Sequence, residues 1–234
     1  MGRGANSHEA ARAARNVRIG VIAIVVVALA AAALWYTGKL GGRGVSAAEL
    51  GQVLLVAAAP DETGDVVAQV IAIADVSGAA PEAVDPATAV TLPGTTYATL
   101  ADAYPFGGGS GVAAALARTR GGDPLPHVTL NARALSAAVE AAGGVSLELP
   151  AEMSVFDGEE LFILPKGSQE LTVGEFGAVL KGAPYLSARQ RAELDTELAR
   201  VTAALVADSA YTDVETDLDE DAFAALTGAL AQVR

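Results

Sequence analysis

The sequence predicts a layered α/β domain, a three-layer α-β-α sandwich built on a mixed central sheet, preceded by one transmembrane helix. Two observations predict this. Residues 126–150, PHVTLNARALSAAVEAAGGVSLELP, compress a strand, a helix, a two-glycine stop and a second strand into one unit. Residues 19–38 form a twenty-residue run with no charged side chain.

The uncharged run comes first in the chain. At about 1.5 Å per helical residue it reaches roughly 30 Å, the thickness of a bilayer core. Arg3, Arg12, Arg15 and Arg18 precede it with only Glu9 opposing them, so the positive-inside rule places residues 1–18 in the cytoplasm and the rest of the chain outside. Trp35 and Tyr36 stand where an interfacial anchor belongs. The small residues around Ala31 also suit a cleavable signal peptide, although the apolar core is long for one. A third reading, the buried core helix of a soluble protein, fits neither the length nor the flanking charges. A glycine-rich linker over 39–50 follows.

Residues 53–59 then read as a buried strand and 66–74 as a second apolar run. Residues 76–87, with a glycine, two prolines and two acids, read as a loop leading to a strand at 89–92. Gly107-Gly-Gly-Ser-Gly111 precedes a helix over 112–118. In the 126–150 unit, Asn131 is placed to cap a helix whose apolar positions Leu135, Ala138, Val139 and Ala142 recur at three-to-four spacing. Gly143-Gly144 tolerates the left-handed turn that closes it, and the alternation from Val145 to Leu149 is that of a half-buried strand ended by Pro150. Asp157-Gly158 marks the turn of a hairpin over 153–164. Helices are predicted over 173–180 and 188–207, the second capped by Ser187. The remaining 208–234 is an acidic segment ending in a helix, in which Asp217, Asp219, Glu220 and Asp221 gather near the positive end of the dipole. Phe223, Leu226, Leu230 and Val233 supply its apolar stripe.

The chain carries 28 Asp and Glu against 15 Lys and Arg, a formal net charge of -13. Four of those arginines belong to the cytoplasmic side, so the outer part is more acidic still and repels nucleic-acid phosphates. With no cysteine there is no disulfide, no thiolate catalysis and no Cys-type zinc site.

The unit at 126–150 also resembles, residue by residue, the corresponding segment of LytR-CpsA-Psr domains, extracytoplasmic transferases that move glycopolymers from a polyprenyl pyrophosphate carrier to the cell wall. Upstream, Leu100-Ala-Asp102-Ala-Tyr104-Pro-Phe-Gly-Gly108 is similar to that family's N-A-A-Y-x-x-G-G stretch. Downstream, Lys166-Gly-Ser-Gln169-Glu-Leu171 is similar to its K-G-x-Q-x-L. The resemblance covers residues 51–207. It implies an α/β fold, a pyrophosphate site built from arginines, and Mg held by aspartates.

Those site residues are mostly replaced. The family's P-R-D-T strand end stands here as Pro93-Gly94-Thr95-Thr96, and its early G-S-D falls on Ala57-Ala58-Ala59. Only Asp65 remains near the R-S-D-T position as a metal candidate, with a loop acid as its alternative role. The R-x-R pair corresponds to Lys181 and Ala183, and of R-x-x-R-Q only Arg189-Gln190 survives. Lys181, Arg189 and Gln190 are therefore the pyrophosphate-binding candidates, and an exposed first helical turn is the alternative for the last two. Asp102 and Tyr104 are expected beside the pocket. With His8 and His127 the only histidines, no pair of histidines serves the outer domain.

Three functions compete. The first is a single-pass cell-membrane protein with an extracytoplasmic domain that has lost most of the catalytic set, needs no cofactor, and binds a lipid-linked glycan, a lipid or another envelope partner. The second is an active Mg-dependent phosphotransferase. The third is an unrelated α/β envelope protein. Losing one fixed charge donor typically costs on the order of 10²- to 10³-fold in rate, which favours the first.

Overall fold

The computed structural model describes residues 45–47, 50–92, 94, 95 and 98–233. The predicted span, 19–38, lies outside them. Among the described residues no helix is long and apolar enough to cross a membrane.

The first two strands, β1 (Gln52–Pro60) and β2 (Val66–Asp75), form an antiparallel hairpin. Both are near-continuous apolar runs, as strands covered on both faces must be, and every residue from Val53 to Ala58 is fully buried. The register shifts between Ala57 and Ala58, leaving Gln69 unopposed as a bulge. β3 (Glu82–Val84) pairs with β2 at one edge, inside the stretch expected to be loop. Its three residues, closely flanked by Pro81 and Pro86, are too few to announce a strand; pairing with Ile71–Ile73 creates it. β4 (Ala89–Val90) and β5 (Ala98–Thr99) make a small separate ladder, shorter than the strand expected at 89–92.

Helix α1 spans Tyr104–Arg120, beginning eight residues before the predicted Val112. Gly107 and Gly108 depart from helical backbone within it, and Gly108 has φ +57. The glycines therefore kink a longer helix instead of preceding a short one. β6 (His127–Leu130) is parallel to β1, which makes the sheet mixed. α2 (Ala132–Ala141) is capped as its sequence predicts, the Asn131 side chain accepting from Ala134 N at 3.0 Å. β7 (Val145–Leu149) follows and pairs with β10 (Gly167–Leu171), a strand whose polar sequence gave no sign of it. Between them lies the predicted hairpin, β8 (Met153–Phe156) and β9 (Leu161–Leu164). α3 (Val173–Gly182) and α4 (Ala188–Asp208) each start with a capping box, Thr172/Glu175 and Ser187/Gln190.

The acidic C-terminal segment is built into the same body. β11 (Glu215–Thr216) extends the sheet beyond β6, giving the order β11-β6-β1-β2-β3, and α5 (Glu220–Leu230) buries Phe223, Leu226 and Leu230. The linker likewise yields to the fold at Val45, whose N–H donates to the Asp217 carbonyl at 3.2 Å. Helices cover both faces of the sheet. Leu54, Val56 and Ile71 pack with α1 on one side, while Leu55, Ala57 and Val70 pack with residues of α2, α3, α4 and α5 on the other.

Candidate functional site

The β1–β2 turn, the β8–β9 hairpin and the end of α3 enclose a cleft of about 450 Å³. Each wall has a local cause. In the turn, Asp61 accepts from the backbone N–H groups of Thr63 and Asp65 at 2.8 and 3.0 Å and from the Thr63 hydroxyl at 2.7 Å, which leaves Glu62 at the tip. In the hairpin, Asp157 accepts from the N–H groups of Glu159 and Glu160, both at 2.9 Å. Those backbone bonds, with the Lys181 charge adding to them, hold the Asp157 carboxyl below its ordinary range. The third wall is the close packing of Gly182 on β8. An added Cβ there would lie 2.5 Å from Val155 Cγ2 and 2.7 Å from Met153 Cε.

Lys181 is the one sequence-predicted candidate that lines this cleft. Its Nζ donates to the Asp157 carbonyl at 3.3 Å. Around it stand the carboxylates of Glu62, Glu152 and Asp157, the hydroxyl of Ser154, and the rings of Phe156 and Tyr185. Tyr185 donates its hydroxyl to Glu62, and this bond raises the phenol pKa. Sequence reading marks Asp157-Gly158 only as a turn, and it gives Glu62 no more than the metal-or-loop-acid alternatives of its neighbour Asp65. Nothing local tells that Phe156 and Tyr185 face a common space.

The other candidates are engaged elsewhere. Arg189, with its side chain 90% exposed, pairs with Glu193 at 2.9 Å, one helical turn on. Gln190 closes the capping box, accepting from Ser187 N and Oγ at 3.2 and 2.6 Å. The partly buried arginine of this turn is Arg191, bound to Asp195 at 2.7 Å. Asp102 accepts from the Thr99 N–H and hydroxyl at 2.7 and 2.9 Å. Tyr104 packs on the α1 face of the sheet, where burial and then the Glu215 charge raise its pKa. The cleft lies toward the other face, with Met153, Val155 and Leu186 packed into the core beneath α2–α5. Asp102 and Tyr104 therefore do not adjoin it.

Asp65 sits at the foot of the β1–β2 turn, where its Oδ2 accepts from the Thr63 hydroxyl at 3.1 Å. Among the described residues no three carboxylate or imidazole groups converge to hold a cation.

A second polar cluster lies across the sheet. His127, nearly buried on β6, donates its N–H to Asp217 Oδ1 at 2.7 Å, and its Nδ1 lies 3.3 Å from the same oxygen. The partner is ninety residues away, which is why the sequence leaves His127 alone. Asp217 is thereby drawn from its expected place beside the terminal helix. Asp219 caps that helix instead, accepting from Ala222 N at 2.8 Å. Burial raises the Asp217 carboxyl, but the hydrogen bond and charge of His127 outweigh it, and the net pKa falls below the ordinary 3.8. A lowered folded-state value stabilises the fold above the unfolded pKa and ceases to do so as pH falls through the folded one. Denaturant unfolding from about pH 6 down to about pH 2.5 should therefore show a stability loss below about pH 4 that is smaller in Asp217→Asn than in the parent.

No protein-family model and no curated protein sequence matches the chain. Solved structures do match. A LytR-Csp2A-Psr enzyme from Actinomyces oris superposes with TM-score 0.56 at 15% identity, over 79% of this chain and 76% of its own. TagV of B. subtilis gives 0.54 at 14%, over 77% and 79%. TagT, solved bound to LIIa-WTA, gives 0.50 at 14%, over 77% and 74%. At these identities the likeness speaks for the fold alone: this chain has the LytR-Csp2A-Psr fold.

Proposed function

We propose that this chain is a membrane-anchored, extracytoplasmic cell-envelope protein that uses the LytR-Csp2A-Psr fold to bind the glycan of a lipid-linked envelope polymer without efficient transfer. The observation that carries the reading is the charge of the cleft, where one cation, Lys181, stands among Glu62, Glu152 and Asp157. Stabilising a pyrophosphate in a transition state needs the opposite balance. The core between the sheet and α2–α5 is packed, with Leu55, Val139, Leu147, Val179, Leu194 and Leu198 all fully buried, which supports a glycan over a polyprenyl tail lodged among them. That TagT was solved with LIIa-WTA supports a lipid-linked glycopolymer as the ligand class. The uncharged run at 19–38, with arginines before it, supports the anchor and its orientation.

The test uses the full chain in lipid nanodiscs with a polyprenyl-pyrophosphoryl disaccharide, with and without magnesium. The expected result is binding that needs no magnesium, unchanged by Arg189→Ala, with no transfer of the sugar to an acceptor glycan. Magnesium-dependent transfer, abolished by Lys181→Ala and Asp65→Asn, would replace this reading with that of an active phosphotransferase.

A further inference from the structure

We propose that the cleft between the β1–β2 turn and the β8–β9 hairpin is a subsite for a saccharide bearing a free ammonium group, with any phosphate held outside it. This rests on the glycan-binding reading above and specifies which part of such a polymer the cleft takes.

The lining has the chemistry of sugar recognition. Phe156 and Tyr185 are 65% and 73% exposed, large apolar surfaces for residues bordering a concavity. Two aromatic rings offer planes on which the C–H face of a pyranose stacks and over which a cation is attracted. Glu62, Glu152 and Asp157 are acceptors for hydroxyl and ammonium hydrogens, while Ser154 and Lys181 supply donors. The size suits a few sugar units, since 450 Å³ falls within the range of small-ligand sites.

Electrostatics select the class of sugar. Three carboxylates against one ammonium leave a net charge of about -2 at the cleft, on a chain already at -13. Such a field concentrates cations and repels phosphate. Lys181 offsets only one of the three carboxylates, and one of its three ammonium hydrogens already goes to the Asp157 carbonyl. An N-acetylated sugar keeps the stacking and loses the charge attraction, so it should bind more weakly than its free amine. The phosphorylated sugar should be the weakest of the three.

The experiment titrates the full chain in nanodiscs, at about pH 6 where a sugar amine is charged. The probes are tetraglucosamine, its fully N-acetylated counterpart and a phosphorylated form of that counterpart. Tetraglucosamine should bind tightest, with an affinity that falls as salt rises. Glu62→Gln with Glu152→Gln, and separately Phe156→Ala, should each weaken it by about tenfold or more, as expected for lost charge-assisted hydrogen bonds or a lost ring. Glu140→Gln with Glu148→Gln makes the same charge change on exposed residues outside the cleft and should leave binding intact. Phosphorylated sugar binding tightest would overturn the proposal. So would tetraglucosamine binding that ignores the cleft variants, which is attraction to an acidic surface only. If the polyprenyl-pyrophosphoryl disaccharide binds and tetraglucosamine does not, the subsite falls and the broader function stands; if neither binds, both fall.

Discussion

Gly109→Ala is expected to destabilise the fold by about 3 kcal/mol, near the upper end of what overpacking a core costs. Gly109 lies on α1 just past its kink, pressed against β6. A Cβ there would overlap Thr129 Oγ1 and His127 Cδ2 and stand 3.0 Å from His127 Nε2. Neither neighbour can retreat. His127 is tied through its backbone N–H to Asp217, and Thr129, fully buried, sits on a strand paired with β1 on one side and β11 on the other. Denaturant unfolding measures the loss, and a double-mutant cycle locates it. In a Thr129→Ala background, where one clash is removed, the cost of Gly109→Ala should shrink by about 1 kcal/mol or more. An unchanged cost in that background would mean that Thr129 does not limit the helix's approach.

Arg191→Ala should be as damaging, by about 3 kcal/mol, because it strands a buried carboxylate. Asp195 is only 10% exposed in its side chain, and Arg191 15%. Burial raises the Asp195 pKa, aided by Asp85, and the Arg191 guanidinium only partly counters it. The sign of the pH dependence follows. A carboxyl whose folded pKa lies above its unfolded value takes up a proton more readily when folded, so the penalty of losing Arg191 should lessen as pH falls. Equilibrium unfolding of Arg191→Ala at about pH 7 and about pH 4.5 tests this, and a penalty equal at both would reject the buried charge as its cause. By contrast, Arg189→Ala, two residues away, removes an exposed one-turn ion pair and should change stability by about 0.5 kcal/mol or less.

That contrast shows what sequence reading recovers and what it misses. The α2 helix, its Asn131 cap, its glycine stop and the Asp157-Gly158 hairpin are legible because each is dictated by residues within a few positions. β10 and β11 are not legible, since their polar residues become strands only by lying beside β7 and β6. The same limit governs the site. Lys181 comes from a motif and does line the cleft, yet a motif cannot tell that Arg189 points to solvent while Arg191 turns inward. Glu62 and Tyr185 are separated by more than 120 residues, and only the folded chain makes them hydrogen-bonded neighbours. Asp217 reads as one of a row of acids until β11 brings it under His127.

The attachment of Val45 has a mechanical meaning. Its N–H donates to the Asp217 carbonyl, and its own carbonyl accepts from Asp219 N at 3.3 Å. Any tension arriving along residues 39–44 is therefore delivered to the C-terminal segment before it reaches β1. Two hydrogen bonds of 3.2 and 3.3 Å, beside an aspartate that also grips β6, form the first joint to be loaded. The central sheet lies one step further along the line of force, so this joint can give way like a fuse while the core stays intact.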